Sequence, residues 1–214
     1  YLSRYPSSQF LLGIPELPGT QSVVLIRRHA PVAGLSPDTP LPSTTNLIVW
    51  PESPAPFQQD DPVFRAAMSS LARTAEAPII VGNIGIDATT ANARGYNMYN
   101  SASFVTPQGE FAGRYDKMHL VPFGEYVPFK QLFFFAKSLL NEVGTFDPGV
   151  DRTVFTTGGH TYGTFICYES IFPDEIRQYA RQGAEVLVNI SNDGWYGDTS
   201  APWQHLNMVR MRAI

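Results

Sequence analysis

The sequence predicts an α/β fold, and three observations carry that prediction. A buried strand, an amphipathic helix and a second buried strand follow one another between residues 46 and 82, which is a β-α-β unit. An alternating apolar run, Thr161 to Ile166, leads into Cys167, gives way to helix signals near Pro173 and returns as a strand over 185–190. Between these units lies a hairpin, residues 96–105 and 111–115 around the turn Pro107-Gln108-Gly109-Glu110. The 214 residues are 43% hydrophobic and 16% charged, enough apolar material for one sizeable core.

Residues 1–45 are interrupted by Pro6, Pro15, Pro18, Pro31, Pro37, Pro40 and Pro42, and only Ser22 to Ile26 reads as a strand. This Pro-rich N-terminal segment supports no assignment, and a catalytic domain is expected over 46–214. Asn46 to Trp50 is a short buried strand stopped by Pro51, which presents Glu52 at its end; Pro54 and Pro56 stiffen the turn that follows. Asp61-Pro62 opens a helix with apolar positions at Val63, Phe64, Ala67, Met68 and Leu71, and Pro78 to Gly82 is the returning strand. Lys117 falls at the end of the second hairpin strand. The stretch from Met118 to Phe129 is too rich in Pro and Gly for regular structure. Gln131 to Leu140 reads as a helix that is apolar nearly all round, either buried or facing something greasy. Asp147-Pro148-Gly149 reads as a turn, Thr153-Val154-Phe155 as a strand pairing with the one that leads to Cys167, and residues 173–182 as a helix. The polar cluster Ser191 to Asp198 follows the last strand, and Ala201 to Ile214 has helical spacing.

Composition excludes several classes of function. A net charge of −4 with scattered Lys and Arg leaves no basic field for nucleic acid. The single cysteine forbids an intrachain disulfide and a cysteine-cluster metal site, and the four histidines, at 29, 119, 160 and 205, show no metal-ligand spacing. Neither a metal nor a cofactor is expected. No run approaches the roughly 18 apolar residues of a membrane span, so the stretch is expected to be soluble or a piece of something that is not.

Glu52, Lys117 and Cys167 share one address, each just past a strand. A thiol is a weak nucleophile until a base takes its proton, a carboxylate in an apolar pocket is suited to that task, and a lysine supplies positive charge to a tetrahedral oxyanion. Helix N–H groups beyond Cys167 favour a thiolate there. Each residue also has a plainer reading: a free cysteine packs in a core, and a strand-end Glu or Lys points into solvent.

Trp50-Pro51-Glu52, Tyr115 to Leu120 and Ile166 to Glu169 resemble, in order, the three catalytic signatures of the nitrilase superfamily. Lys117 to Pro128, Asn192 to Asp198 and Ala201 to Leu206 resemble its apolipoprotein N-acyltransferase branch. The resemblance covers about residues 46–214. It implies a four-layer α-β-β-α sandwich, incomplete here at both ends, on the periplasmic side of the bacterial inner membrane and carried by a membrane-embedded bundle outside this stretch. It further implies that Cys167 takes an acyl chain from a phospholipid as a thioester and passes it to the α-amino group of an apolipoprotein's lipidated N-terminal cysteine. Glu52 would be the base and Lys117 the oxyanion partner. By the same resemblance Glu125 supports Glu52 and Lys117, while Tyr168, Glu169 and Trp195 shape the pocket. Phe133, Phe134 and Phe135 suit a rim that meets acyl chains or bilayer, or equally a buried helix. His119 and His205 read as structural hydrogen-bonding residues, and Trp50 and Trp203 as core. A soluble nitrilase-type amidase that passes the acyl group to water, and a non-catalytic binding domain on the same fold, are the competing readings.

Overall fold

The computed structural model describes residues 23–25, 47–52, 57–89, 94–126, 146–196 and 199–213. Two sheets face each other. Among the described residues the first has five strands in sequence order: β1 (Val23–Leu25), β2 (Leu47–Val49), β3 (Ile79–Ala88), β4 (Tyr96–Val105) and β5 (Phe111–Asp116). β1, β2 and β3 run parallel, and β3, β4 and β5 antiparallel. The second sheet holds β6 (Val154–Thr157), β7 (His160–Ile166) and β8 (Val186–Ile190), with β6 antiparallel and β8 parallel to the central β7.

Alternation along β2 explains the layering. Leu47 and Val49 point into a core shared with Tyr162, Ile166 and Ile190 of the second sheet, whereas Ile48 points the other way. There it meets Phe64, Met68 and Ala72 of helix α1 (Pro62–Ala75). A strand covered on both faces must be apolar throughout, and all of β2 is buried. The Phe104 and Phe155 rings stack at 5.0 Å across the two sheets.

Helix α1 starts where Asp61 caps it, the carboxylate accepting from the Phe64 amide at 2.8 Å, with Pro62 just inside. It ends at Glu76 in the left-handed conformation, φ 51°. Its buried stripe is narrower than the apolar pattern predicts. Phe64, Met68 and Ala72 lie one above the other at spacings of four, while Val63, about 100° round the helix, is 73% exposed and Ala67 is also exposed.

β6 and β7 join through Gly158 and Gly159, both at positive φ, as a tight hairpin turn demands. From β7 the chain passes through a 3-10 turn (Cys167–Ile171) and helix α2 (Pro173–Arg181) into β8, a parallel crossover. Tyr179 of α2 lies so close over β7 that a Cβ on Gly163 would sit 2.7 Å from its own Cβ. The order helix, sheet, sheet, helix is the four-layer α-β-β-α sandwich expected from the sequence. Helix α3 (Ala201–Arg210) and a 3-10 turn (Met211–Ala213) follow.

Three smaller expectations fail. Asp147 to Gly149 forms no turn; it is an extended link whose Asp147 and Gly149 amides bond the Met98 and Lys117 carbonyls. Trp203 is 59% exposed rather than core. β3 runs ten residues instead of five because β4 pairs with its whole length. The expected helix over 131–140, with Phe133, Phe134 and Phe135, lies outside the described residues. Among the described residues no helix is long and apolar enough to cross a membrane.

Candidate active site

Glu52 and Lys117 arrive from different strands of the five-stranded sheet. The Trp50 amide bonds the Ile80 carbonyl at 2.8 Å, so the β2 ladder continues past Val49 and delivers Glu52 buried at the rim. The Lys117 amide bonds the Asn100 carbonyl at 2.9 Å, extending the β4–β5 pairing by one residue. The 146–150 link covers this point closely: a Cβ on Gly149 would lie 2.2 Å from the Asp116 carbonyl oxygen.

The Lys117 ammonium sits between two carboxylates, 3.3 Å from Glu52 Oε1 and 2.9 Å from Glu125 Oε2, at 1% exposure. Asn100 Nδ2 donates to both acids, at 2.7 Å to Glu52 and 2.6 Å to Glu125. Glu52 Oε2 accepts from the Asn192 amide at 3.1 Å, and Glu125 Oε2 from the Val121 amide at 2.8 Å. Glu52 thus occupies a cage of donors, not the apolar pocket that the sequence suggested. Burial pulls the Lys117 ammonium down, but the charges of Glu52, Glu125 and Cys167 outweigh it and hold the pKa above the ordinary lysine value.

Cys167, the first residue after β7, has a left-handed backbone conformation, φ 50°. A residue other than glycine is disfavoured there by about 1–2 kcal/mol, so the turn needs holding. Glu169, 2% exposed, supplies part of the hold. Its carboxylate accepts from the Ile166 amide at 2.7 Å, the Tyr115 hydroxyl at 2.7 Å, and the Met118 and His119 amides at 2.8 and 3.1 Å. One buried acid therefore ties the Cys167 turn to the loop that carries Lys117. On the other side, His205 Nε2 and Asn189 Nδ2 reach the Cys167 carbonyl at 2.9 and 3.3 Å.

The thiol is no thiolate at rest. Burial pushes its pKa up to about 12, the Glu52 charge adds to that rise, and Lys117 opposes it. Favourable helix N–H groups, expected from the sequence, do not prevail. Cys167 leads into a five-residue 3-10 turn, and α2 begins only at Pro173. Among the described carboxylates, Glu52 is the one whose charge acts most strongly on the thiol.

The structure thus brings Glu52, Lys117 and the half-buried Glu125 into one hydrogen-bonded cluster at the strand ends where Cys167 also lies, with Glu169 tying the Cys167 turn to the residues after Lys117. Tyr168 is half-buried, its ring edge-on to Phe172 at 5.4 Å. Trp195 lies in the short 3-10 turn Asp193–Tyr196, and its side chain falls outside the description. Asn100 and Asn192 were missed. Asn100 carried a signal, since an asparagine in the middle of a ten-residue strand is out of place unless its amide is used. Cys167, Asp193 and His205 bring metal-type atoms within 4.8 Å of one another. Both ring nitrogens of His205 are already engaged, by Asp193 at 2.8 Å and by the Cys167 carbonyl, so this group is a hydrogen-bond chain and not a ligand set.

A buried thiol, a caged carboxylate and a lysine held between acids thus lie just past strand ends of the two sheets. The chain belongs to the carbon-nitrogen hydrolase family, which residues 38–214 match. It is 42% identical over 171 residues to the apolipoprotein N-acyltransferase of Geobacter metallireducens and 38% identical over 177 residues to that of Agrobacterium fabrum. Both alignments take in 79% of this chain and 32% of the relative, so the chain spans about a third of the length of the curated relatives it matches. In fold it is similar to a Saccharomyces cerevisiae member of the nitrilase superfamily, with a TM-score of 0.58 at 20% identity over 80% of this chain and 59% of that one.

Proposed function

We propose that this chain is the catalytic part of an N-acyltransferase acting in bacterial lipoprotein maturation, with Cys167 as nucleophile, Glu52 as base and Lys117 as oxyanion partner. The observation that carries the reading is the Lys117 ammonium, buried between Glu52 and Glu125 at the strand ends where Cys167 also lies buried. The apolipoprotein N-acyltransferases among its relatives supply the substrate class.

In the first half-reaction Glu52 removes the Cys167 proton as sulfur attacks the ester carbonyl of a phospholipid. The new C–S bond forms, the carbonyl oxygen becomes an oxyanion facing Lys117, and the glycerol C–O bond breaks with Glu52 returning the proton to the departing oxygen. A lysophospholipid leaves and an acyl thioester remains. In the second half-reaction the α-amino group of an apolipoprotein's N-terminal cysteine attacks the thioester. Glu52 takes the amine proton, the C–N bond forms, and sulfur leaves and is reprotonated. Glu125 holds Lys117 in line, Glu169 and Tyr168 shape the turn around Cys167, and we assign Trp195 to the pocket wall. Residues 46–214 form the catalytic unit in this reading. The setting that goes with these substrates is the bacterial inner membrane with the catalytic domain facing the periplasm, and Phe133, Phe134 and Phe135 are its candidates for lipid contact.

Intact-protein mass spectrometry of the full-length enzyme after incubation with phospholipid tests the proposal, with Cys167→Ala as control. A hydroxylamine-labile gain of one fatty acyl group, absent from the control, is the expected result. No adduct together with hydrolysis of small amides would replace the transferase by an amidase; no adduct and no hydrolysis would leave a binding domain.

A further inference from the structure

His205 is a buried histidine outside the acid–lysine–thiol set, and its surroundings determine its charge. Nε2 lies 2.9 Å from the Cys167 carbonyl and Nδ1 lies 2.8 Å from Asp193 Oδ1. A carbonyl can only accept, and so can a carboxylate, so both ring nitrogens must carry protons. The Asp193 oxygen is also bonded by the Ser191 hydroxyl at 2.8 Å. We infer that His205 is a cationic positioning residue: it clamps the left-handed Cys167 turn by its carbonyl and cancels the Asp193 charge that would otherwise oppose ionisation of the thiol.

The electrostatics around it agree. Burial lowers the imidazole's proton affinity, but the hydrogen bond and charge of Asp193, the Cys167 carbonyl and the Glu52 charge raise it above the ordinary histidine value overall. Asp193 raises the Cys167 pKa while Lys117 lowers it. The ionisable groups facing this corner are therefore Asp193, Glu52 and Cys167, with Tyr196 and Lys117 coupled to the same thiol. His205 comes from α3 and Asp193 from the turn after β8, so the clamp joins the end of the second sheet to a helix that otherwise carries no part of the site.

This inference rests on Cys167 being the reacting residue, and alkylation of that thiol reads it without needing acyl transfer to be the reaction. Full-length wild-type enzyme, His205→Gln, Asp193→Asn and the double variant are treated with iodoacetamide at pH 7.5, with thermal unfolding to check that each is folded. Glutamine keeps a donor for the Cys167 carbonyl but brings no charge, so His205→Gln is expected to react about tenfold more slowly, one pKa unit's worth of thiolate. Asp193→Asn should react at least as fast as wild type, and the double variant should recover to within about threefold of it. A His205→Gln rate equal to wild type, or a double variant as slow as His205→Gln, overturns the charge-cancelling role. If His205→Gln does not fold, an Asp193→Asn rate below wild type overturns it alone. A thioester that fails to form in all four proteins while this alkylation pattern holds counts against the acyl-transfer proposal and leaves the role of His205 standing.

Discussion

Two clusters three residues apart at the end of β5 are built to the same plan, a cation between two carboxylates. Arg114 lies 2.5 Å from Asp87 Oδ2 and 2.9 Å from Asp116 Oδ1, with its guanidinium over the Tyr99 ring at 5.4 Å. Lys117 lies between Glu52 and Glu125 at 3.3 and 2.9 Å. Water separates the two cases. The Arg114 side chain is 17% exposed and its Asp87 partner about half exposed, whereas Lys117 is sealed. Near solvent the planar fork of arginine locks hairpin strands together by directed bonds, and dielectric screening keeps the energy small. In the interior the same arithmetic of charge becomes strong, and a lysine's single point charge can turn from a carboxylate towards an oxyanion as one develops.

That contrast can be broken or sharpened by experiment. The largest effect belongs to Cys167→Ala, which should abolish both the thioester and transfer; residual transfer seen by mass spectrometry would remove the covalent route. Glu52→Gln keeps an acceptor for Asn100 and Lys117 but cannot take a proton. Single-turnover acylation should fall by about 10²–10⁴, and a rate within threefold of wild type would take the base away from Glu52. Lys117→Met leaves Glu52 and Glu125 buried without their countercharge, and urea unfolding should show a loss of about 3–5 kcal/mol. A loss below about 1 kcal/mol would mean that the interior cluster behaves like a surface one.

The thiol gives a test of pH. Because its pKa is raised to about 12, the neutral form dominates at and above neutrality, and iodoacetamide alkylation of Cys167 should climb about tenfold per unit from pH 7 to 9. A plateau in that range would show a thiolate at rest. The smallest effect is expected for Arg114→Gln: about 1 kcal/mol of stability, shrinking further in 1 M salt, with acyl transfer unchanged. A loss as large as that of Lys117→Met would erase the distinction between the clusters.

Some of this was legible before any coordinates. Trp50-Pro51-Glu52 could be read because proline stops a buried strand and leaves the next side chain at its rim. Helix α1 could be read from its capping Asp61 and first-turn proline, and the 96–116 hairpin from its turn. What was misread depended on neighbours remote in sequence. Val63 and Phe64 look alike in a pattern, and only the sheet beneath α1 chooses between them. Trp203 is aromatic but α3 leaves it outward. Glu52 lost its expected apolar surroundings to Asn100, Lys117 and the Asn192 amide, the last of which is 140 residues away.

The chain by itself determined the β-α-β unit, the hairpin, the strand leading to Cys167 and the strand-end addresses of Glu52, Lys117 and Cys167, because periodicity, caps and prolines act within a few residues. Tertiary structure alone decided the protonation of that thiol, the four-donor cage on Glu169 and the partners of His205. Burial and Coulomb energies depend on distance through space, and a linear sequence carries no record of which charges the folded sheets bring together.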